Sequence, residues 1–278
     1  MTKDLFIQPF VKWVGGKRQL FDEIKIRIKK AGHYSTYYEP FLGGGAVLLG
    51  IQPKKAIVND FNVELINAYL VIKNDVDSLI EELSRYPNTE EDFYKIRSLD
   101  RQSGYTNISN ISKAARLIYL NKTCYNGLYR VNQQGYFNSP YGHYKNPNIV
   151  NEITLRHLSN YFNKNNITFK SGDFEEALKG VRKGALVYLD PPYAPLTTTA
   201  NFTGYTAGGF DVGDQIRLAK ICEKMNNHGV KFILSNANVP LIEELYKDFN
   251  KEIVLAKRNV NSVATKRGNV EEVIITNF

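Results

Sequence analysis

The chain has 278 residues, with 36 Lys or Arg and 28 Asp or Glu, so its formal net charge is +8. This length fits two domains, or one large domain with an insertion, and a hydrophobic fraction of 43% excludes a disordered chain. No apolar run approaches the ~18 residues that a membrane-spanning helix needs, which excludes an integral membrane protein.

The first third of the chain alternates helical and strand patterns. A basic helical pattern over Leu20–Lys30 precedes two short apolar segments, 37–39 and 56–58, that predict strands, and helical patterns follow them at 46–50 and 63–73. Because strands that alternate with helices form βαβ units, this third predicts a parallel sheet.

Candidate ligand-binding residues follow both of these strands. The motif EPFLGGG at 39–45 opens a helix, so its glycines let the backbone approach a ligand while the helix N-terminus offers free amide groups. It is not the GxGxxG of dinucleotide-binding folds, and an ordinary glycine turn is the alternative. Asp60 ends the second strand, where acidic residues hold paired ribose hydroxyls in nucleotide-binding folds, although a helix N-cap explains an Asp there equally well.

The pattern changes between about Leu79 and Asn160. Helical stretches such as 109–121 lead into an irregular segment, 126–147, rich in Gly, Asn, Pro and Tyr. Residues 101–151 contain no Asp or Glu, while six cations alternate with eight aromatic residues. Cations neutralise phosphates and aromatic rings stack on bases, whereas a merely soluble surface mixes both signs of charge. This region therefore predicts an inserted module that binds nucleic acid.

The last third returns to strand patterns. They lie at 167–169, 185–189 and 230–234, with a helix predicted over 213–228. The sheet is therefore built from both ends of the chain. Two final strands, 252–256 and 270–275, are joined by a connection rich in Lys, Asn and Gly, which predicts an antiparallel hairpin at a sheet edge.

The motif DPPY at 190–193 directly follows the continuous apolar strand 185–189. Such strands are buried on both faces and carry ligands at their carboxyl ends. Asp190 and the carbonyl of Pro191 can accept the two N6 hydrogens of an adenine while Tyr193 stacks on its ring, which frees the nitrogen lone pair for methyl transfer by direct displacement. A Pro-rich turn capped by Asp is the alternative.

Asp173 and Phe174 follow the strand at 167–169. This combination of an acceptor and a ring suits the amino group and the face of an adenosyl moiety, although Asp173 alone could be no more than a helix cap. Four such strand-end motifs in one sheet argue against coincidence.

Together these motifs resemble the Dam-type DNA adenine N6-methyltransferases of the alpha class over essentially the whole chain. The resemblance implies GATC as the target, although related enzymes read longer sites that share its start. The segment KWVGGK at 12–17 is similar to the KWxGGK of that family, and CYNGLYRVN at 124–132 is similar to its YNGLxRxN loop. The resemblance implies an α/β, Rossmann-like sheet of the S-adenosylmethionine-dependent methyltransferases. Its catalytic domain would comprise residues 1–62 and 160–278, and an inserted, mostly helical target-recognition domain would comprise residues 63–159.

The resemblance also implies three sets of site residues. The catalytic set is Asp190, Pro191, Pro192 and Tyr193. The set that binds the cofactor, S-adenosylmethionine, is Trp13, Lys17, Phe41, Gly43, Gly45, Asp60, Asp173, Phe174 and Asp190. The DNA-binding set is Lys12, Tyr125, Asn126, Leu128, Arg130, Asn132, Pro140 and Lys145. Within it, Tyr125 would intercalate near the target adenine, and Leu128 and Arg130 would read neighbouring bases. His143 departs from the family, which often has Arg there.

The remaining residues narrow the alternatives. Methylation of cytosine C5 needs a cysteine nucleophile, usually after proline, whereas Thr123 precedes Cys124 and Ile221 precedes Cys222. N4-cytosine methylation, RNA methylation and a DNA-binding protein with an inactive methyltransferase fold stay open as alternatives. We expect an enzyme that flips an adenine out of double-stranded DNA and methylates it, as part of restriction-modification or as a solitary enzyme.

The start of the chain and its two cysteines bear on the cellular location of the protein. The start of the chain, Met1 to Leu5, lacks a secretory signal pattern, and the two cysteines show no disulfide or zinc-site spacing, so we expect a cytoplasmic protein. Transfer of a methyl group from a sulfonium needs no metal, and no metal-ligand cluster is evident in the sequence. We expect a monomer that acts on one DNA strand at a time, with no membrane partner.

Overall fold

The computed structural model of the protein describes residues 7–13, 15, 17, 19–194, 209–257 and 269–278, without the side chains of 256, 257, 269 and 270. Three predictions concern residues outside these ranges. They are the chain start from Met1 to Leu5, Val14 and Gly16 of the KWVGGK segment, and the 258–268 connection between the last two strands.

Helices and strands alternate along the described residues. The helices are α1 (Phe21–Ala31), α2 (Ala46–Ile51), α3 (Val63–Asn74), α4 (Val76–Ser84), α5 (Glu90–Ser98), α6 (Asn110–Thr123), α7 (Glu152–Lys164), α8 (Phe174–Leu178), α9 (Val212–Asn227) and α10 (Pro240–Leu245). The strands are β1 (Thr36–Glu39), β2 (Lys55–Asp60), β3 (Asn166–Ser171), β4 (Ala185–Leu189), β5 (Lys231–Ala237), β6 (Asn250–Lys257) and β7 (Asn269–Thr276). Short 3₁₀ turns cover Leu99–Arg101, Tyr105–Asn107 and Tyr125–Gly127.

The seven strands form one sheet in the order β3-β2-β1-β4-β5-β7-β6. The first five in that order are parallel to one another, while β7 is antiparallel to both β5 and β6. The predicted α/β fold, with an antiparallel hairpin at the edge of a parallel sheet, is confirmed.

The sheet is buried on both faces at its centre, and β4 shows why. All five residues of β4 are buried, and successive side chains of a strand point to opposite faces. Leu186 and Tyr188 join one hydrophobic cluster, which includes residues of α3, α6 and α7. Val187 and Leu189 join the other cluster, against α8 and α9. A continuous apolar strand is the expected result of this two-sided burial.

Helices α3 to α7 lie between β2 and β3 in the chain. The longest of them, α6, contacts α3, α4 and α5, and its buried residues belong to the same cluster as one face of the sheet. The region is mostly helical, as expected. Its role as a target-recognition domain with boundaries at 63 and 159 stays a prediction.

Strand β5 extends beyond its predicted end. The apolar pattern ends at Leu234, but pairing with β7 continues through Ser235 and Asn236 to Ala237. Both polar side chains are fully buried and hydrogen-bonded, Ser235 to the Tyr188 hydroxyl at 3.2 Å and Asn236 to the loop after β4. The hydrophobic pattern could not indicate a strand end that is built from satisfied polar groups.

Candidate active site and DNA-binding loop

The carboxyl ends of three neighbouring strands bring acidic side chains to one edge of the sheet. In the order β2, β1, β4, these side chains are Asp60, Glu39 and Asp190. The strand order reverses between β1 and β4, because β2 and β3 lie on one side of β1 and β5 lies beyond β4. Ligands of open α/β sheets bind at such a switch point.

Asp190 is largely buried and paired with a cation. Lys17 Nζ lies 2.8 Å from Asp190 Oδ1, with the two side chains 9% and 17% exposed. The same ammonium group lies 4.5 Å from the centroid of the Tyr193 ring. Burial raises the pKa of Asp190 from 3.8 to about 6, while Lys17 opposes the rise and Glu272 adds to it. Lys17, predicted among the cofactor-binding residues, thus lies directly against the predicted catalytic motif.

Two buried amides hold the DPPY loop from behind. Gln215 Nε2 donates to the Pro192 carbonyl at 2.9 Å, and Asn236 Oδ1 accepts the amide of Ala194 at 3.0 Å. Asn236 Nδ2 donates to Gln215 Oε1 at 3.1 Å, so the two side chains also hold each other. Within the described residues, the Pro191 carbonyl has no hydrogen-bond donor, which leaves it available as an acceptor.

The glycine loop is tied to the end of β2. Asp60 accepts the backbone amides of Gly43 and Asn62 at 2.8 and 2.9 Å. Gly45 has a φ of +69°, and a Cβ there would lie 2.7 Å from the Tyr69 hydroxyl oxygen, so this position requires glycine. Burial raises the pKa of Asp60, and the two amides oppose that rise. A carboxylate has about four acceptor positions, so Asp60 can still accept hydroxyl donors.

Trp13 lies between the glycine loop and the predicted recognition loop. A Cβ on Gly43 would lie 2.9 Å from Trp13 Cδ1, so the indole packs directly on the loop backbone. The indole also stacks on the Tyr129 ring, with centroids 5.1 Å apart and an interplanar angle of 26°. Trp13 therefore connects the residues predicted to bind cofactor with those predicted to bind DNA.

Three phenylalanines form an aromatic cluster at the same edge of the sheet. Phe41 lies 5.3 Å from Phe174 and 5.7 Å from Phe210, measured between ring centroids. Asp173 caps α8 through the Glu175 amide at 2.9 Å, and its role at the cofactor stays a prediction. Its other oxygen accepts Nη2 of Arg217 at 2.7 Å, and the Arg217 guanidinium lies 4.5 Å from the centroid of the Phe174 ring.

Glu39 is a buried carboxyl beside Asp190 that the sequence reasoning did not assign to the site. It is 2% exposed and accepts the Tyr37 hydroxyl at 2.9 Å. Burial raises its pKa from 4.5 to about 8, and the negative charge of Asp190 adds to the rise. At neutral pH the edge of the sheet therefore carries one mostly protonated and one mostly ionised carboxyl side by side.

The predicted recognition loop, residues 124–132, forms one arm of an irregular hairpin that extends to Tyr141. Two isolated antiparallel bridges close it, Cys124 with Tyr141 and Val131 with Phe137. Gly127 has a φ of +63°, and a Cβ there would lie 2.6 Å from Lys12 Cδ. The loop therefore packs closely on the N-terminal segment.

Asn121, a buried residue of α6, joins these two segments. Its Oδ1 accepts the Lys12 amide at 2.8 Å, while its Nδ2 donates to the carbonyls of Lys12 and Gly127 at 2.7 and 3.1 Å. Lys12 Nζ lies 5.3 Å from the centroid of the Tyr144 ring. Lys12 and the recognition loop thus share one surface, as their predicted common role requires.

Most side chains of the predicted DNA-binding set face outward. Tyr125 is 58% exposed, Leu128 and Asn132 are partly exposed, and Lys12, Asn126, Arg130, Pro140 and Lys145 are exposed. Arg130 Nε donates to Asn138 Oδ1 at 2.7 Å, which holds its guanidinium in place. Asn132 instead uses its side-chain oxygen within the turn, accepting the amides of Gln134 and Tyr136 at 3.1 and 2.9 Å.

One cation of the acid-free stretch points into the protein. Arg116 is 2% exposed and its Nη2 lies 2.7 Å from Asp100 Oδ2, which also accepts the amide of Phe137 at 2.8 Å. Arg101 donates to the Phe137 carbonyl at 2.7 Å. The charge count over residues 101–151 therefore overestimates the surface charge, because Arg116 pairs with Asp100, which in turn holds the hairpin at Phe137.

Comparison with known proteins decides the family. The family model described as D12 class N6 adenine-specific DNA methyltransferase matches residues 13–260. The chain belongs to this family. It is 44% identical over 274 residues to the Type II methyltransferase M1.LlaDCHI of Lactococcus lactis subsp. cremoris, covering 98% of this chain and 96% of the relative.

Two further relatives extend the match. The Type II methyltransferase M.MjaIII of Methanocaldococcus jannaschii is 42% identical over 290 residues, covering 98% of this chain and 99% of the relative. A DNA adenine methylase of Vibrio cholerae is 32% identical over 270 residues, covering 95% of this chain and 94% of the relative. The match to an adenine-specific DNA family favours adenine in DNA over the cytosine and RNA alternatives.

The methyltransferase brings its predicted catalytic and cofactor-binding residues to one edge of the sheet, and the predicted DNA-binding residues to the adjoining loop. Sequence reasoning missed several residues that hold these groups: Gln215, Asn236, Glu272, Arg217, Phe210, Asn121 and Asn138. One local signal could have indicated that Asn236 holds the DPPY loop: it is a polar residue at the end of an apolar strand.

Two further observations concern the part of the methyltransferase that the structure describes. Its helices are too short or too polar to cross a membrane. In the same residues, no three His, Cys, Asp or Glu side chains are grouped as ligands for a metal ion.

Proposed function

We propose that this methyltransferase transfers the methyl group of S-adenosylmethionine to N6 of an adenine that is flipped out of double-stranded DNA, within GATC. One observation carries the proposal. A largely buried acceptor, Asp190, and the carbonyl of Pro191, which accepts no hydrogen bond from the described residues, follow a central strand of the sheet, beside a glycine loop and an aromatic cluster at the same edge.

The residues at this edge fit S-adenosylmethionine. Asp60 retains acceptor positions for the ribose hydroxyls, and the partly exposed ring of Phe41, packed on the buried Phe174, suits the adenine ring. The glycine loop, which a Cβ at Gly45 would disrupt, suits close backbone contact with the methionine part. When bound, the cofactor supplies an electrophilic methyl group on a sulfonium, which leaves as a neutral thioether.

The DPPY residues prepare the nucleophile. Asp190 and the Pro191 carbonyl accept the two N6 hydrogens, and Tyr193 stacks on the base, so that the nitrogen lone pair is turned out of conjugation with the ring. When the new C–N bond forms, N6 carries a positive charge and loses one proton. Asp190, whose pKa burial raises to about 6, can accept that proton and release it to water. Its main role is to orient the amino group.

The recognition loop supplies the contacts to DNA. A base within a duplex cannot reach a bound methyl donor in line, so it must leave the stack. Tyr125, which is 58% exposed, would fill the space of the flipped adenine, and Arg130 would contact a guanine through N7 and O6. Lys12 and Lys145 are exposed cations that would contact DNA, and Lys12 Nζ lies 5.3 Å from the ring of Tyr144, the chain neighbour of Lys145.

The assignment of GATC rests on the resemblance of the YNGLxRxN loop to the Dam-type enzymes. We also propose that the enzyme acts as a monomer in the cytoplasm, with residues 63–159 as the recognition domain. The relatives named Type II methyltransferases support a role beside a restriction endonuclease.

Substitution of Asp190 tests the proposal. Asp190→Ala should lower the transfer of labelled methyl groups to DNA by about 100-fold or more, because one of the two acceptors that orient the nucleophile is lost. Thermal unfolding and DNA binding should stay close to wild type. Asp248→Ala is the matched control, since Asp248 is exposed just before β6, at the opposite edge of the sheet. Near-normal turnover of Asp190→Ala would remove this residue from the chemistry.

A further inference from the structure

Glu272 of β7 contacts the DPPY loop, which follows β4. It lies near the start of β7, opposite Ala237 at the end of β5. Because β7 runs antiparallel to β5, its start lies at the edge where the parallel strands end and where Asp190 is found. The Glu272 carboxylate accepts a hydrogen bond from the Tyr193 hydroxyl.

We propose that Glu272 is a positioning residue for methyl transfer, which fixes the plane of the Tyr193 ring through the hydrogen bond to its hydroxyl. The inference rests on the proposed function, in which that ring stacks on the flipped adenine. A stacking ring that can rotate about its χ angles does not hold a base in one orientation. A misplacement of about 1 Å at the reacting atoms can lower a rate about 100-fold.

The backbone on both sides of Tyr193 is held independently. Gln215 donates to the carbonyl of Pro192, the residue before it, and Asn236 accepts the amide of Ala194, the residue after it. These bonds fix the Cα–Cβ end of the tyrosine. The hydroxyl, at the far end of the ring, is held by Glu272, so the ring is fixed at both ends.

Glu272 also contributes charge around Asp190. Among the described residues, the groups that face Asp190 are Lys17 from the N-terminal segment, Glu39 from β1, Tyr188 from β4, Tyr193 from the loop and Glu272 from β7. Lys17 lowers the pKa of Asp190, whereas the negative charge of Glu272 raises it. The two actions of Glu272, on the Tyr193 hydroxyl and on Asp190, can be measured separately.

Four variants separate these actions. Glu272→Gln keeps an acceptor for the hydroxyl but removes the charge, and Glu272→Ala removes both. Tyr193→Phe removes the hydroxyl and keeps the stacking ring. Glu271→Gln is the control, because it removes the same charge one residue earlier on β7. The Glu271 side chain is exposed and accepts a hydrogen bond from Asn238 at 2.8 Å.

The experiment measures kcat and the KM for S-adenosylmethionine, together with a double-mutant cycle. Glu272→Ala and Tyr193→Phe should each lower kcat about 10- to 100-fold and change this KM by less than about twofold. The double variant Tyr193→Phe with Glu272→Ala should be no slower than the slower single variant, because both remove the same bond. Glu272→Gln should recover most of kcat at pH 8 and move the acid limb of kcat to lower pH.

The outcomes separate the inference from the proposed function. Wild type and Asp190→Ala are measured in the same assay: an inactive wild type would overturn the proposed function itself. If wild type is active and Asp190→Ala is not, the proposed function stands and two results would overturn the role of Glu272 alone. One is a double variant whose loss of kcat is the sum, in free energy, of the two single losses. The other is a Glu272→Gln variant whose kcat falls at the same acidic pH as that of wild type. If Glu272→Ala does not fold, the cycle is run with Glu272→Gln, and a kcat as low as that of Tyr193→Phe would contradict the inference.

Discussion

In the proposed reaction, the rate of methyl transfer should fall on the acidic side of about pH 6, because ionised Asp190 is the stronger acceptor for the N6 hydrogens and only the ionised form can take up the proton that N6 loses. Burial raises the pKa of this carboxyl from 3.8 to about 6. At ~1.36 kcal/mol per pKa unit, the site therefore disfavours the ionised form of Asp190 by about 3 kcal/mol. Lys17, 2.8 Å from Asp190 Oδ1, keeps the rise in pKa from being larger.

The assay is a single-turnover measurement from pH 5 to pH 8.5, with rapid quenching and saturating concentrations of DNA and labelled cofactor. At pH 5 about one tenth of the Asp190 carboxyls are ionised, so the rate constant should be about tenfold below its plateau. Lys17→Met removes the cation that stabilises the carboxylate, so the acid limb should move to higher pH. Asp248→Ala should leave the limb where it is.

Two results would refute this reasoning. A rate constant that stays constant down to pH 5 would show that the protonation state of Asp190 does not matter. An acid limb that survives in the residual activity of Asp190→Asn would assign the titration to another group. Glu39→Gln then tests the neighbouring carboxyl, whose pKa burial raises to about 8.

Two further predictions concern base recognition and stability. Arg130→Ala should weaken discrimination at one base pair of the target by ~1 to 3 kcal/mol, because it removes the exposed guanidinium that Asn138 holds at 2.7 Å for contact with a base. The measurement is kcat/KM on duplexes with single base-pair changes, and an equal loss on every duplex would reassign Arg130 to a phosphate contact. Glu39→Gln should stabilise the protein relative to wild type as the pH rises from 5 to 8. Because burial raises the pKa of Glu39 from 4.5 to about 8, the folded chain keeps a proton that the unfolded chain loses, and the wild-type free energy of unfolding falls by about 1.4 kcal/mol per pH unit relative to the variant. Urea unfolding at pH 5, 6.5 and 8 measures the difference, which would be independent of pH if Glu39 titrates normally.

The sheet could be predicted from the sequence because each strand has its own local pattern of apolar residues. The apolar run 185–189 is buried on both faces, as its composition requires, and each strand-end motif lies where a βαβ unit places ligands. The residues that hold the site come from distant parts of the chain. Gln215, Asn236 and Glu272 meet the DPPY loop only because α9, β5 and β7 pack around β4. No spacing in the sequence indicates such a meeting.

The charge pattern shows a second limit. The acid-free stretch contains the loop with Tyr125 and Arg130, and both of these side chains face outward. The charge count included Arg116 as a surface cation, although Arg116 is buried against Asp100, which lies one residue before the stretch begins. A linear count of charges cannot distinguish a cation that faces solvent from one that pairs inside the fold.

The most direct test of the account is transfer of labelled methyl groups to two plasmid preparations, identical except that one already carries N6-methyladenine at every GATC. The account predicts label in the unmethylated plasmid and none in the premethylated one, which would establish the activity and the site together. Equal label in both plasmids would contradict GATC as the target, and no label in either would contradict methyl transfer to DNA.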